Sequence, residues 1–286
     1  MARQYIILIL ILAMLPMVAS ASSLRYEAPM TASQWASQSS PLVCRLRHDI
    51  DLYGHAEFVR YAGREIFLRL NTDQGGPSNG YAELRTLAPV WAGKPGKHLG
   101  KVRYRGGHDP FRFSRLQVRK ILALLEQGQR PSVHYHSAAS GASKVDVVLS
   151  SIRFKEELQS FRSCMNALIK LDYESASQSH ILFTAGQKEL DKKAKRRLES
   201  IAAFVHADKD IKQVRIEGYS DNIGTRGDNY ALSRLRAVMV KEYLEACNVP
   251  SQKISFDYFG EHRPAKSNRT KKGRAQNRRV EVSFIK

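Results

Sequence analysis

The hydrophobic pattern of the chain changes close to residue 172, and this change limits the fold more than any other feature of the sequence. Up to that point the apolar residues form short, partly alternating runs broken by Gly, Asn, Asp or Pro, which is typical of β-strands. Beyond it, strand-like runs alternate with amphipathic helical stretches. A chain of 286 residues is long enough for about two domains. We therefore expect one domain over residues 22–171, a second over residues 172–286, and a polar linker at 172–179.

The first domain is expected to be mostly β with one or two helices. Its clearest helix follows Ser114, which can form a capping box with Gln117 and precedes an apolar stripe at helical spacing. Gly128 and Pro131 are expected to end this helix. No group of residues in this domain has the spacing of a catalytic motif.

The second domain is expected to be an α/β two-layer sandwich with a single sheet. Strand-like runs alternate with helical stripes, which favours one sheet covered by helices. The strand-like runs are residues 180–183, 214–216, 254–258 and 280–284. The second helix is expected to face the core with a stripe that begins Leu232, Leu235, Val238 and Met239.

The first 21 residues have the organisation of a secretory signal peptide. Arg3 precedes an apolar run from Ile6 to Leu15, and Ala19-Ser20-Ala21 fits a cleavage site of small residues. The run has about ten residues, whereas a membrane-spanning helix needs about 20. No cysteine follows the cleavage site directly, which disfavours a lipoprotein. We expect a periplasmic protein that begins near Ser22; the alternative is an uncleaved anchor.

The three cysteines of the chain are Cys44, Cys164 and Cys247. An oxidising compartment permits disulfides, and an odd number leaves one cysteine unpaired or paired between molecules. We predict a disulfide between Cys44 and Cys164, because these two bracket the first domain. The alternative is three reduced, buried thiols.

The chain is strongly basic, with 46 Lys and Arg against 27 Asp and Glu and a net charge of +19. The excess is concentrated near the C-terminus, and a basic run extends from Arg263 to Arg279. Such a run is compatible with binding to nucleic acid. Secretion and the lack of interleaved aromatic residues disfavour that interpretation. Anionic cell-wall peptides or membrane head groups are the expected partners of this charge.

The sequence gives no indication of an enzyme, a metal or a cofactor. His134 and His136 would share one face of a strand, but no third ligand of suitable spacing accompanies them. The chain contains no metalloprotease motif, no Gly-x-Ser-x-Gly motif and no cysteine in a nucleophile context. A cell-wall hydrolase is therefore the least favoured class, although paired carboxylates would leave no motif.

A polar loop after the second strand of the second domain carries the main candidate site. Asp221 lies in this loop, and Arg236 lies early in the following helix. A carboxylate and a guanidinium that face one cleft can bind a zwitterion, such as an amino-acid centre. If their role is recognition, the fold should not depend on them. The alternative is a turn cap and a surface ion pair of little energy.

Two sequence blocks of the second domain resemble the peptidoglycan-binding family of outer-membrane protein A and the peptidoglycan-associated lipoprotein. The first is Gly-x-Ser-Asp-x-x-Gly-x4-Asn-x-x-Leu-Ser-x-x-Arg-Ala from Gly218 to Ala237, and the second runs from Gly260 to Glu281. The resemblance implies that Asp221 and Arg236 grip the diaminopimelate of the peptide stem. It also implies a site formed with Ser220, Asn229 and Arg278. Three residues depart from the family pattern: Tyr219 for His, Ser220 for Thr, and Leu235 for the first of two arginines.

The first domain resembles, more loosely, the T-ring proteins of sodium-driven polar flagellar motors. The resemblance rests on Trp35, Pro41-Leu42-Val43-Cys44, Leu149-Ser150-Ser151 and Ser163-Cys164. It implies docking on the flagellar basal body and a partner ring protein, possible assembly into a homo-oligomeric ring, and help in placing the stator complex. A general periplasmic tether between the outer membrane and the cell wall is the alternative function. Swimming of cells that lack the gene would distinguish the two.

Overall fold

A computed structural model describes residues 23–73, 75–76, 78–87, 96–136 and 144–286. The predicted signal peptide and its cleavage site before Ser22 lie outside the described residues. Within the described part of the chain, no helix is both long enough and apolar enough to cross a membrane.

The described residues of the first half form two sheets and two longer helices. The elements in chain order are β1 (Ser23–Tyr26), β2 (Ala36–Ser39), β3 (Val43–Ile50), β4 (Gly54–Tyr61), β5 (Phe67–Thr72), β6 (Gly80–Leu87), β7 (His98–Tyr104), β8 (Phe111–Arg112), α1 (Arg115–Glu126), β9 (Arg130–Tyr135), β10 (Lys144–Val148) and α2 (Phe154–Ala167). A six-stranded sheet has the order β1-β10-β9-β6-β7-β8, and a four-stranded sheet has the order β2-β3-β4-β5. The prediction of a mostly β domain with one or two helices is confirmed.

The start of α1 agrees with its sequence signals. The Ser114 hydroxyl accepts a hydrogen bond from the Gln117 backbone, and the Gln117 side chain accepts one from the Ser114 backbone. This reciprocal pair satisfies two backbone donors that a helix start would otherwise leave free. The helix buries Val118, Ile121 and Leu125 in the core.

Trp35 and a disulfide fix the centre of the first core. The Trp35 indole nitrogen donates to the Ser150 carbonyl at 2.8 Å, and its ring stacks on His48 at a centroid distance of 4.8 Å. Cys44 on β3 is bonded to Cys164 on α2, as predicted, and Cys247 is free. The disulfide therefore ties the four-stranded sheet to α2.

The segment 172–179 is not the polar linker that its composition suggests. It forms a short helix, α3 (Tyr173–Ser177), and the start of strand β11 (Gln178–Leu182). Asp172 caps the helix by accepting from the Ser175 backbone at 2.7 Å. Ala176 is fully buried against Ala62 of the first half and Phe204 of the second. The linker prediction failed because a short side chain can be either solvated or tightly packed, and composition does not distinguish the two.

The connection between the halves is also held by contacts with the turn that follows β4. The Gly63 amide donates to the Ile169 carbonyl at 3.1 Å, and the Arg64 guanidinium pairs with Asp172 at 3.2 Å. Gly63 has a φ of 63°, and a Cβ there would clash with the backbone of Leu171 and Asp172. Only glycine permits this close approach.

The second half is an α/β sandwich with one four-stranded sheet, as predicted. Its further elements are α4 (Lys192–Ala207), β12 (Gln213–Gly218), α5 (Arg226–Ala246), β13 (Ile254–Tyr258), α6 (Lys271–Asn277) and β14 (Arg279–Ile285). The strand order is β11-β14-β12-β13, with β12 and β13 parallel and the other pairs antiparallel. Side chains of α4 and α5 pack with those of the sheet in one apolar cluster.

The buried face of α5 differs from the predicted one. Leu235 is exposed, and the other three residues of the predicted stripe are only half-buried. The buried residues of this helix are instead Asn229, Ser233, Arg236, Ala237, Val240 and Leu244. The first half of α5 thus turns a polar face inward, because these polar side chains bond to neighbouring loops that form the candidate site.

Candidate functional site

The candidate loop lies at the carboxyl end of β12, where two other loops meet it. The Tyr219 amide donates to the Arg279 carbonyl at 2.9 Å, and the Ser220 amide donates to the Gly260 carbonyl at 2.7 Å. Gly218 precedes this turn and packs directly on α5, since a Cβ there would overlap the Ser233 carbonyl oxygen. The loop is therefore held by backbone contacts before any side chain acts.

Asp221 forms an ion pair with Arg278. The Arg278 Nη1 donates to the Asp221 Oδ2 at 2.8 Å, and both side chains are largely buried. The other carboxylate oxygen, Oδ1, accepts from the Ile223 backbone at 3.3 Å. Asp221 thus has the local turn contact that the alternative interpretation requires, and a charged partner in addition.

Arg236 is fully buried, which the sequence did not predict. Its Nε donates to the Gln187 carbonyl at 3.2 Å, its Nη2 donates to the Thr184 carbonyl at 3.3 Å, and its guanidinium lies 4.9 Å from the centre of the Phe183 ring. Its Nη1 has no hydrogen-bond partner among the described residues. A buried donor without a partner is costly, so an acceptor brought within reach of this atom would stabilise it.

The burial of Arg236 overturns the expectation that the fold does not depend on it. Its two hydrogen bonds hold the loop that contains Thr184 and Gln187 against α5. Removal of this side chain would leave both carbonyls without their hydrogen-bond donor and would open a large cavity. A substitution of Arg236 is therefore expected to change the stability of the domain, whatever else this side chain does.

Three charged side chains, those of Asp221, Arg236 and Arg278, interact electrostatically at this site. Burial lowers the pKa of Arg236 to about 10; the positive charge of Arg278 also lowers it, and Asp221 opposes both effects. The Arg236 guanidinium therefore remains charged at neutral pH. A carboxylate beside two guanidiniums can bind an ammonium and a carboxylate at the same time.

Ser220 and Asn229 occupy the margin of the site. Both are buried, and the Ser220 hydroxyl has no hydrogen-bond partner among the described residues. The Asn229 amide donates to the Glu261 carboxylate at 2.8 Å, which joins α5 to the turn after β13. The Ser233 hydroxyl accepts from the Gly260 amide at 2.9 Å and supports the same turn.

Sequence reasoning missed the loop of residues 183–187 that closes the site. Arg278 donates through Nε to the Phe183 carbonyl at 3.1 Å, and the Arg236 contacts described above lie in the same loop. Carbonyl acceptors leave no trace in the sequence, because every residue has one. The available signal was position: this loop follows a strand of the same sheet.

Part of the predicted basic run has a structural role. Arg279 lies over the Tyr219 ring at 3.9 Å and pairs with Glu281 at 2.6 Å. Arg274 donates to the Asn268 carbonyl at 2.7 Å. The run is therefore not simply a solvated patch for a polyanion.

The histidine pair of the first half lies beside charged groups. His134 Nδ1 is 3.1 Å from the Asp146 carboxylate, which also accepts from Arg85 at 2.6 Å. The His134 and His136 rings are in contact, with centroids 5.9 Å apart. Over the described residues, no group of three or more His, Cys, Asp and Glu side chains could hold a metal ion.

Comparisons with known proteins agree with this organisation. Residues 182–278, which contain the site, match the OmpA family, so the second half is an OmpA-like domain. Residues 26–169 match the family described as the MotY N-terminal domain. This match covers half of the chain, and the chain therefore belongs to the MotY family.

Individual relatives extend over different parts of the chain. The sodium-type flagellar protein MotY of Vibrio parahaemolyticus is 29% identical over an alignment of 275 residues, and the match covers 91% of this chain and 90% of that protein. The outer-membrane lipoprotein YfiB of Pseudomonas aeruginosa is 34% identical over 110 residues, 38% of this chain and 65% of that protein. The crystal structure of the peptidoglycan-associated lipoprotein from Burkholderia pseudomallei is 22% identical; the match covers 37% of this chain and 89% of that one, with a TM-score of 0.36.

Proposed function

We propose that this chain is a periplasmic component of the flagellar motor that anchors non-covalently to peptidoglycan and helps to place stator units. The similarity to Vibrio MotY over both halves supports the motor role. The similarity to the lipoprotein YfiB is limited to 38% of the chain. It therefore leaves the first half unexplained if the protein is a general tether. The proposal assigns no catalytic step to the protein.

The observation that carries the wall-binding role is the buried charge cluster of Asp221, Arg278 and Arg236. In the proposed complex, Asp221 accepts from the ammonium of diaminopimelate, and Arg236 donates its unpartnered Nη1 to the ligand's carboxylate. Arg278 holds the Asp221 carboxylate in position through the 2.8 Å contact. Ser220 and Asn229 complete the site, the first with an unpartnered hydroxyl and the second by holding the adjacent turn.

Sedimentation with purified sacculi tests this site with variants that keep the side-chain size. Asp221→Asn removes the acceptor charge, and Arg236→Lys keeps the positive charge but removes the fork. A charge-assisted contact contributes about 1.5–3 kcal/mol, so Asp221→Asn should weaken binding about tenfold or more, and Arg236→Lys should weaken it by less because only the second donor of the fork is lost. Asp257→Asn and Arg234→Lys are matched controls, because both residues are exposed and Arg234 lies on the same helix.

A thermal melt must accompany the binding assay, because Arg236 supports the fold. We expect both variants to melt at a lower temperature than the wild-type protein, because Asp221→Asn leaves the largely buried Arg278 without its anionic partner and Arg236→Lys loses buried hydrogen bonds, so binding is compared at a temperature where each variant is folded. If folded Asp221→Asn protein sedimented with sacculi as the wild-type protein does, Asp221 would be only a turn residue. Equally weakened binding by the two control variants would instead show that the loss is not specific to this site.

We further propose that the first half docks on the flagellar basal body and a partner ring protein, as part of a ring of copies of this chain. In this scheme the protein is periplasmic, between the cell wall and the basal body or outer membrane. Deletion of the gene should give cells that have flagella but do not swim. Normal swimming after deletion would contradict the motor role and favour the general tether.

A further inference from the structure

A groove of about 990 Å³ lies between strand β11 and helix α4, beside the proposed diaminopimelate site. Strand β11 is at the edge of its sheet, and the groove includes apolar side chains of Ile181 and Leu182. Leu182 is 53% exposed. An edge strand with an exposed apolar residue offers both backbone groups and a side-chain contact to an extended chain.

The rim of this groove is strongly positive. Lysine and arginine line it at five positions against a single carboxylate, that of Asp191. Asp191 is already engaged, because it caps α4 by accepting from the Ala194 amide at 2.6 Å. Lys193 and Arg196 are exposed, three residues apart on one face of α4, and the described residues supply neither side chain with an ion pair. These two cations are available for an anionic ligand.

The groove is continuous with the proposed site. Thr184 and Gln187 line it, and their carbonyls accept the hydrogen bonds of Arg236. Arg278 also lines it while it pairs with Asp221. The groove then follows the strand back to Gln178, about 20 Å at roughly 3.3 Å per residue. A peptide of a few residues would fill this length.

We infer that this groove holds the part of the peptide stem next to its diaminopimelate residue, and that Lys193 and Arg196 bind the other free carboxylates of the stem. This inference rests on the proposed function. A stem is favoured over a membrane surface because the lining is concave and begins at the zwitterion site. The groove would make the domain prefer a whole stem to free diaminopimelate.

Calorimetric titration of the full chain with two probes tests the inference. The probes are free diaminopimelate and a synthetic peptidoglycan stem that contains it. Lys193→Gln/Arg196→Gln should weaken stem binding about tenfold and leave the affinity for free diaminopimelate unchanged. Lys192→Gln/Lys195→Gln is the matched control, because it removes the same charge from exposed positions of α4 that do not line the groove.

The outcomes separate this inference from the function on which it rests. Amidation of the other stem carboxylates should weaken wild-type binding to the level of the groove variant. Equal stem affinity of wild-type and groove variant, or equal loss in the control variant, would overturn the inference alone. Wild-type protein that binds neither probe would overturn the proposed function and the inference together. Vesicles of anionic lipid are the third probe: a groove variant that keeps wild-type affinity for the stem but loses binding to these vesicles would overturn the inference and assign the groove to a membrane.

Discussion

Removal of the Cys44–Cys164 disulfide should lower the free energy of unfolding of the first half by about 5 kcal/mol. The two cysteines are 120 residues apart in sequence. In the chain-entropy description, closing a loop of this length restricts the unfolded chain by about 5 kcal/mol at 25 °C. A typical domain is stable by only about 5–15 kcal/mol, so this one bond accounts for a large part of the total.

Tryptophan fluorescence during urea unfolding can follow this change in the first half alone. Both tryptophans of the sequence, Trp35 and Trp91, precede residue 172. Trp35 is buried in the first core, so its emission reports the loss of that core. With a urea dependence of about 2 kcal/mol per molar, the midpoint should fall by about 2.5 M.

Three samples make the measurement decisive. Cys44→Ala/Cys164→Ala protein and wild-type protein in excess dithiothreitol should both show the lower midpoint. Cys247→Ala is the control, because this cysteine is free and should leave the tryptophan-monitored midpoint unchanged. Identical midpoints for oxidised and reduced wild-type protein would refute the argument.

Three further predictions concern pH, the connection between the halves and the candidate loop. Burial lowers the pKa of His48 below its ordinary 6.5, so the unfolded chain binds a proton first as the pH falls. At pH values below about 6.5, the free energy of unfolding of the first half, measured by urea unfolding, should therefore decrease as the pH is lowered. A free energy that does not change with pH, or one that decreases as steeply in His48→Gln, would contradict this. Asp172→Ala removes a helix cap that contributes about 1 kcal/mol to the stability of the connection. Because cleavage follows the population of the locally opened chain, trypsin should cut after the exposed Lys170 about five times faster. An unchanged cleavage rate would argue against an ordered connection. Gly218→Ala forces a Cβ into the Ser233 carbonyl and should lower both the melting temperature and binding to sacculi, so wild-type melting would show that the strand and α5 can separate freely.

Short-range sequence signals and the positions of the cysteines were sufficient to predict several parts of this structure. The capping box at Ser114 depends on two residues three positions apart, and such short-range bonding is visible in sequence. The Cys44–Cys164 pairing followed from compartment and domain boundaries. The site loop was located because its polar, glycine-bounded composition follows a strand.

Features that depend on distant partners were not predictable in the same way. The buried face of α5 contains Arg236 and Ser233, and only the loops that they contact explain why polar side chains face inward there. The role of Ala176 likewise depends on Ala62, more than a hundred residues earlier. The partner of Asp221 within the protein, Arg278, was expected only as a basic neighbour.

The packed connection between the halves has a mechanical consequence. A flexible segment of eight residues would extend by about 25 Å before it carried any tension. Here Asp172 begins a helix directly, and Ala176, Phe204 and Ala62 lie in one buried cluster. In the proposed role, a pulling force on the wall-binding domain would therefore be transmitted to the first half without prior extension of the connection, and the protein would act as a stiff link.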